Sequence, residues 1–127
     1  MYLAIDLGDK RCGIAVSVEG IAIPKEIVAR TSLINILKKY IEDYKIKVIV
    51  VGLPYDLYNT DLKQLNKTKQ FIEKLKLIFP ELKIDSIDER FTSFEATNVL
   101  KSMNKKELEG RKDAISACLI LESYLNL

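Results

Sequence analysis

The sequence contains no histidine. That absence removes Ser/His/Asp and Cys/His nucleophilic machinery together with histidine-ligated zinc, so any hydrolysis on this chain falls to carboxylates, metals and basic residues. The two cysteines, Cys12 and Cys118, are too few and too far apart for a disulfide framework or a metal-spaced pair, and reduced, buried thiols are expected. No apolar run approaches the roughly 18 residues that span a bilayer, and the opening MYLAIDLG lacks the layout of a signal peptide, so the expected location is the cytoplasm. Neither sign of charge dominates: 20 basic residues against 18 acidic leave a net charge of +2, and a case for nucleic acid has to rest on a local basic patch. Low-complexity tracts are missing too. The 127 residues, 48% hydrophobic and 30% charged, predict one globular domain over 1–127.

What is present first is strand. Residues 2–7, 12–18 and about 21–28 are short apolar or β-branched runs separated by Gly8-Asp9-Lys10 and Glu19-Gly20, the pattern of an antiparallel meander. Pro24, lacking an N–H, places the third strand at an edge. Thr31 or Ser32 is positioned to cap a helix whose apolar residues Leu33, Ile36, Leu37, Tyr40, Ile41 and Tyr44 keep three-four spacing. Val48-Ile49-Val50-Val51 is apolar on both faces, which predicts a strand covered by helices on each side and a change from antiparallel to parallel pairing. A helix over roughly 61–78 follows, with Leu62, Leu65, Ile72, Leu75 and Ile78 inward, and Pro80 stops it. A fifth strand near 83–88 leads into Thr92-Ser93-Phe94-Glu95, a capping box that opens a helix to about Met103. A polar loop from Asn104 to Lys112 precedes a final helix over 113–125, with Cys118, Leu121 and Leu125 as one buried edge. The succession suits a five-stranded mixed α/β sheet with helices on both faces.

Three carboxylates stand where a carboxylate is awkward. Asp6 interrupts the apolar run Leu3, Ala4, Ile5, Leu7; Glu89 follows the fifth strand; Asp113 opens the final helix. An ionised group in a buried strand is costly unless something compensates it, and a divalent metal does so strongly. A metal-dependent enzyme acting on phosphates is the first reading. Each acid also has an ordinary one: Asp6 as a turn-facing acid, Glu89 as a solvated loop charge, Asp113 as a helix cap.

DLGDKRCGIAVS at 6–17, VVGLP at 50–54, DERFTS at 88–93 and KDAISACLILESYL at 112–125 resemble, in this order, the four blocks of the YqgF/RuvX family. The resemblance covers practically the whole chain. It implies a ribonuclease H-like fold with the first strand central, and a carboxylate cluster, Asp6, Glu89 and Asp113, that binds Mg²⁺ or Mn²⁺ as catalytic metal ligands. It also implies an endonuclease for structured nucleic acid, maturing the 5′ end of pre-16S rRNA in ribosome biogenesis or resolving Holliday junctions in DNA. In such a sheet the parallel first and fourth strands bring Asp6, Gly52 and the loop after the fifth strand to one crevice, where open α/β sheets bind ligands. Lys10, Arg11 and Arg90 are the candidate phosphate-binding residues, and Lys105, Lys106, Arg111 and Lys112 form a further basic cluster near Asp113. Ser116 stands where related junction resolvases carry a second acid, which leaves three acids for the metal.

Other readings stay open on sequence alone. DLGDKRCGIAV is also similar to the phosphate-binding hairpin of actin-like ATPases and sugar kinases, which close two such domains over a nucleotide, whereas 127 residues supply one. A non-catalytic nucleic-acid-binding ribosome-assembly factor would keep the basic residues without the metal. Phosphate contacts carry no sugar information, so RNA and DNA are not distinguished. The edge strand permits a homodimer without demanding one.

Overall fold

The computed structural model of the protein describes residues 1–54, 62–88 and 112–126, with Lys112 and Asp113 described by backbone alone. The three opening runs form the expected meander: β1 (Tyr2–Leu7), β2 (Arg11–Val18) and β3 (Ile21–Ala29), each antiparallel to the one before. Glu19 and Gly20, at φ 53° and 80°, make the two-residue connection between β2 and β3 in the left-handed conformation whose twist matches that of paired strands. Pro24 sits on an outer strand, and the pairing slips beside it: Ile14 opposes Glu26 while Ala15 opposes Pro24, leaving Lys25 as the extra residue of a bulge.

A 3₁₀ turn, Arg30–Ser32, feeds α1 (Leu33–Tyr44). Ser32 occupies the expected N-cap position but makes no side-chain cap bond. The turn already holds it near helical geometry, φ −100° and ψ −3°, instead of the extended conformation that aims a cap oxygen at the first N–H groups. Leu33 and Leu37 are fully buried, and Ile36, Tyr40, Ile41 and Tyr44 pack around them, so all six expected positions face the core.

The chain then enters β4 (Val48–Leu53), parallel to β1, and later β5 (Lys83–Asp88), parallel to β4. The sheet order β3-β2-β1-β4-β5 makes β1 the central strand. Between β4 and β5 runs α2 (Leu62–Ile78). Its inward stripe corrects the sequence expectation: Leu62 is 60% exposed, while Leu65, Thr68, Phe71, Ile72 and Leu75 are buried. Thr68 is tolerated inside because its Oγ1 donates to the Gln64 carbonyl at 2.9 Å, satisfying the hydroxyl within the helix. The last described helix, α3 (Lys112–Leu125), already includes Lys112, which the sequence pattern puts in the preceding loop.

Strand alternation sorts the core into two clusters. Leu3, Ile5, Leu7, Cys12, Ile14, Val16, Ile49 and Val51 meet α1 and α2 on one face. Ala4, Ala15, Ala22, Val50 and Ile87 meet Ala117, Cys118, Ile120 and Leu121 of α3 on the other. The run 48–51 is apolar throughout because it is covered from both sides. Cys12 and Cys118 are buried thiols outside any disulfide, one on each face; the Cys118 thiol donates to the Ala22 carbonyl at 3.5 Å. The expected helix from Thr92 to Met103 and the polar stretch 104–111 lie outside the described residues. Among the described residues no helix is long and apolar enough to cross a membrane.

Candidate functional site

Asp6 is the fifth residue of β1 and shares the α3 face with Ala4, since Leu3, Ile5 and Leu7 point the other way. It is half-buried. Its partner on β2 is Gly13, and one step beyond the Ile5–Val51 pair it lies beside Gly52 on β4. Directly opposed residues project to the same face, so neither flank of Asp6 carries a side chain there. One layer down, Ala4, Ala15 and Val50 occupy the corresponding places and are sealed under the α3 cluster. A carboxylate therefore sits at the rim of the covered layer, with room on both sides.

The three parallel strands end together. Gly52 pairs with Ile87 and Leu53 with Asp88, which sets the ends of β1, β4 and β5 along one edge of the sheet. Glu89 and Arg90 are the next two residues after β5 and lie outside the described residues, as do Lys105, Lys106 and Arg111. Lys10 and Arg11 are exposed at the same edge, in the turn that follows β1 and at the first position of β2. That turn is firmly held. A side chain at Gly8 would run into the Arg11 carbonyl oxygen, so the chain there closes only around a glycine. The Gly8 carbonyl accepts Arg30 Nη1 at 2.8 Å, and the Arg30 N–H donates to the Lys10 carbonyl at 2.8 Å.

Asp113 is the second residue of α3, the helix that covers the face on which Asp6 lies. The far end of α3 is fixed at the start of β1: the Tyr124 ring meets Tyr2 edge-on at 6.0 Å, and Tyr124 Oη donates to Asp85 at 2.7 Å. From Tyr2 to Asp6 is about 13 Å of strand, and from Tyr124 back to Asp113 about 16 Å of helix. The two acids stand at similar lengths from a shared anchor.

Asp85 offers an internal contrast. Partial burial pushes its carboxyl up, but the hydroxyl of Tyr124, the Ser86 N–H at 2.8 Å and the charges of Lys83 and Lys76 outweigh burial and hold it below the usual carboxylate range. Tyr124, in return, is pushed up to about 12, chiefly by its hydrogen bond to Asp85. Asp85 is thereby a structural acid, tied to α3 and β5. Asp6 lies instead at the end of the sheet where strands stop and loops begin. Of the three expected metal ligands, Asp6 is the one whose side chain is described, and no group of three acids is found among the described residues. Its oxygen donor, in a chain without histidine, suits a hard divalent cation such as Mg²⁺ or Mn²⁺.

Two site features escaped the sequence reading. Gly13 was countable once Leu7 and Cys12 are set opposite each other across the turn. Arg30, 24 residues beyond Asp6, has no local signal.

Comparison with known proteins bears on the family and the fold. A protein of Fusobacterium nucleatum named "Putative pre-16S rRNA nuclease" is 36% identical over 133 residues, covering 99% of this chain and 96% of that one. One of the same name from a Sulfurihydrogenibium species is 38% identical over 128 residues, covering 98% and 88%. Among solved structures, Thermus thermophilus RuvC superposes with a TM-score of 0.59 at 11% identity, over 98% of this chain and 93% of that one. The yeast mitochondrial Holliday junction resolvase gives 0.55 at 15% identity, over 98% and 77%. At such identities these two establish the fold, which is ribonuclease H-like, as the motifs implied. The family model described as "RuvX: Holliday junction resolvase" matches residues 1–127, and the chain belongs to that family.

Proposed function

We propose that the protein is a metal-dependent endonuclease that hydrolyses phosphodiester bonds in structured nucleic acid, with the 5′ end of pre-16S rRNA as its leading substrate. The observation that carries this is the placement of Asp6 between Gly13 and Gly52 at the edge where β1, β4 and β5 end. Glu89 follows β5 directly and Asp113 lies at the start of the helix that covers this face, so the three acid-bearing segments serve one edge. Asp6, Glu89 and Asp113 would hold Mg²⁺ or Mn²⁺. Such an ion polarises a phosphoryl oxygen and lowers the pKa of a bound water. Lys10, Arg11 and Arg90 would neutralise the phosphates that flank the cleaved bond. The absence of histidine leaves carboxylate oxygens and water to accept protons. The pre-16S substrate is the one for which the relatives are named, and their coverage of nearly the whole chain supports carrying it over.

The family description favours a second substrate, the four-way DNA junction. Labelled pre-16S RNA and a four-way junction, offered side by side with Mg²⁺, Mn²⁺ or chelator, separate the two. Metal-dependent cutting of the RNA alone is the expected result; cutting of the junction alone overturns the substrate assignment. Binding without cutting of either, whatever the metal, would make the protein a non-catalytic assembly factor.

A further inference from the structure

On the opposite face of the sheet from Asp6, an open groove of about 450 Å³ runs between α1, α2 and the β1–β2 turn, lined by Asp9, Arg30, Ile34, Lys67, Phe71 and Lys74. The aromatic ring of Phe71 forms its floor and orients Arg30, whose guanidinium lies 5.0 Å above the ring centroid. Lys63, Lys67, Gln70 and Lys74 are exposed and follow one another at i, i+4, i+7 and i+11, a single stripe of α2. The stripe is about 16 Å long. One acid enters the groove, Asp9, at 3.8 Å from Lys67. Among the described residues no carboxylate lies within ion-pair distance of Arg30, Lys63 or Lys74.

We infer that this groove is a second phosphate-binding surface, which holds the flank of the nucleic-acid substrate away from the cleaved bond; the inference rests on the nuclease reading above. Three cations that line the groove, Arg30, Lys67 and Lys74, with Lys63 one turn further along the same stripe, match a linear polyanion better than a single phosphate, which one or two would satisfy. An open, charged trough is also a poor host for an apolar small molecule. The groove shares a wall with the site. Arg30 bonds the Gly8 carbonyl, and Gly8 is two residues of extended chain, about 7 Å, from Asp6. Lys10 and Arg11 are exposed on the turn between them, so basic residues continue over the edge of the sheet from one face to the other. A strand cut at Asp6 would cross that turn and lie along α2, with its charge neutralised on both sides of the crossing. Neutralising these phosphates would release counterions, which makes the contribution readable as a salt dependence.

The test uses the full chain carrying Asp6→Asn, so that binding is measured without turnover, on substrates with a long flank and with the flank trimmed. Replacing Lys63, Lys67 and Lys74 with alanine should lower the slope of log affinity against log salt by about two to three units on the long substrate. It should weaken that complex at least tenfold and leave the trimmed one unchanged. The same charge removed at Lys39, Lys47 and Lys83 is the control, two of them just before or at the start of the parallel strands, at the end of the sheet away from Asp6. An unaltered slope on the long substrate, or an equal loss in the control, overturns the groove. If the parent binds and an otherwise wild-type chain cleaves while the slope stays unaltered, the nuclease reading stands and the groove alone falls. If the parent binds neither substrate, both fall.

Discussion

The two faces of the sheet are built from different materials. Against α1 and α2 the strands present leucine, isoleucine and valine, whose bulk supplies most of the burial that opposes the entropy of folding. Against α3 they present the alanines Ala4, Ala15 and Ala22 at its centre, beside Val50 and Ile87, and the helix answers with Ala117 and Cys118 beside Ile120 and Leu121. Small residues bury less area per contact but let a helix lie close on a sheet. Asp6 belongs to this second face, and so does the acid-bearing end of α3. The large-residue face holds the fold; the small-residue face sets positions. Replacements on the two faces should therefore fail in different ways.

The largest effect is expected from Asp6→Asn. It preserves size and hydrogen bonding but removes the charge proposed to recruit the cation, so single-turnover cleavage should fall on the order of 10²–10⁴-fold in a protein that still folds. Mn²⁺ should raise the Tm of the parent and not of the variant. An unchanged cleavage rate would take Asp6 out of the mechanism.

On the other face, Leu37→Ala or Leu75→Ala removes a fully buried side chain and should cost about 2–5 kcal/mol in denaturant unfolding. The cleavage rate per folded molecule should hold. A variant that loses activity without losing stability would break the division between the faces.

Ala117→Leu sharpens the comparison from the site side. Ala117 is fully buried where α3 meets the sheet, and overpacking there should cost about 1–3 kcal/mol. The displaced helix carries Asp113, so cleavage at saturating substrate should fall although no proposed ligand has changed. Equal activity per folded molecule in Ala117→Leu and the parent would show that the close approach of α3 is unimportant to the site.

The smallest effect belongs to Tyr124→Phe, which removes the bond to Asp85 and should cost about 1 kcal/mol near neutral pH. Its signature is the pH dependence. Asp85 is held below its ordinary 3.8, so its contribution is present above that value and is lost as pH falls through the folded-state pKa. Tyr124 is raised from 10.0 to about 12, so its contribution is complete below pH 10 and is lost as pH rises towards 12. The parent should lose stability at both ends more steeply than Tyr124→Phe, as unfolding midpoints across pH would register. Parallel profiles would mean that the hydroxyl does not couple α3 to β5.

The same contrast explains what was legible in the sequence. Runs of large apolar residues marked the strands, the unbroken run 48–51 marked the parallel position of β4, and three-four spacing marked the inward face of α1. Pro24 marked the edge because a missing N–H is a local fact. The face of α2 differs from the expectation at three places: the apolar pattern includes Leu62, which overhangs the core at the first turn, omits Thr68, which is buried with its hydroxyl satisfied by its own helix, and passes over Phe71, which packs inward. Asp6 stood out because a charge interrupts an apolar run. Gly13 and Gly52 matter through what they do not project, and only pairing across strands reveals which residue benefits. The basic groove lay further out of reach. Lys63, Lys67 and Lys74 are visible as a helical stripe, but Arg30 joins them from a different part of the chain, and solvated lysine stripes are common.

The position of α3 in the chain also bears on how the protein is made. Asp6 leaves the ribosome before Lys112, which follows it by 106 positions. At about 5–20 residues per second, roughly 5–20 seconds pass between the two. Throughout that interval the meander has no α3 to cover it, and the surface it shows there is alanine at Ala4, Ala15 and Ala22, less adhesive than the leucine and isoleucine of the reverse face. A nascent chain can wait in that state with little risk of sticking to its neighbours. On the proposed mechanism it also waits without activity, because Asp113 arrives with the helix that completes the layer.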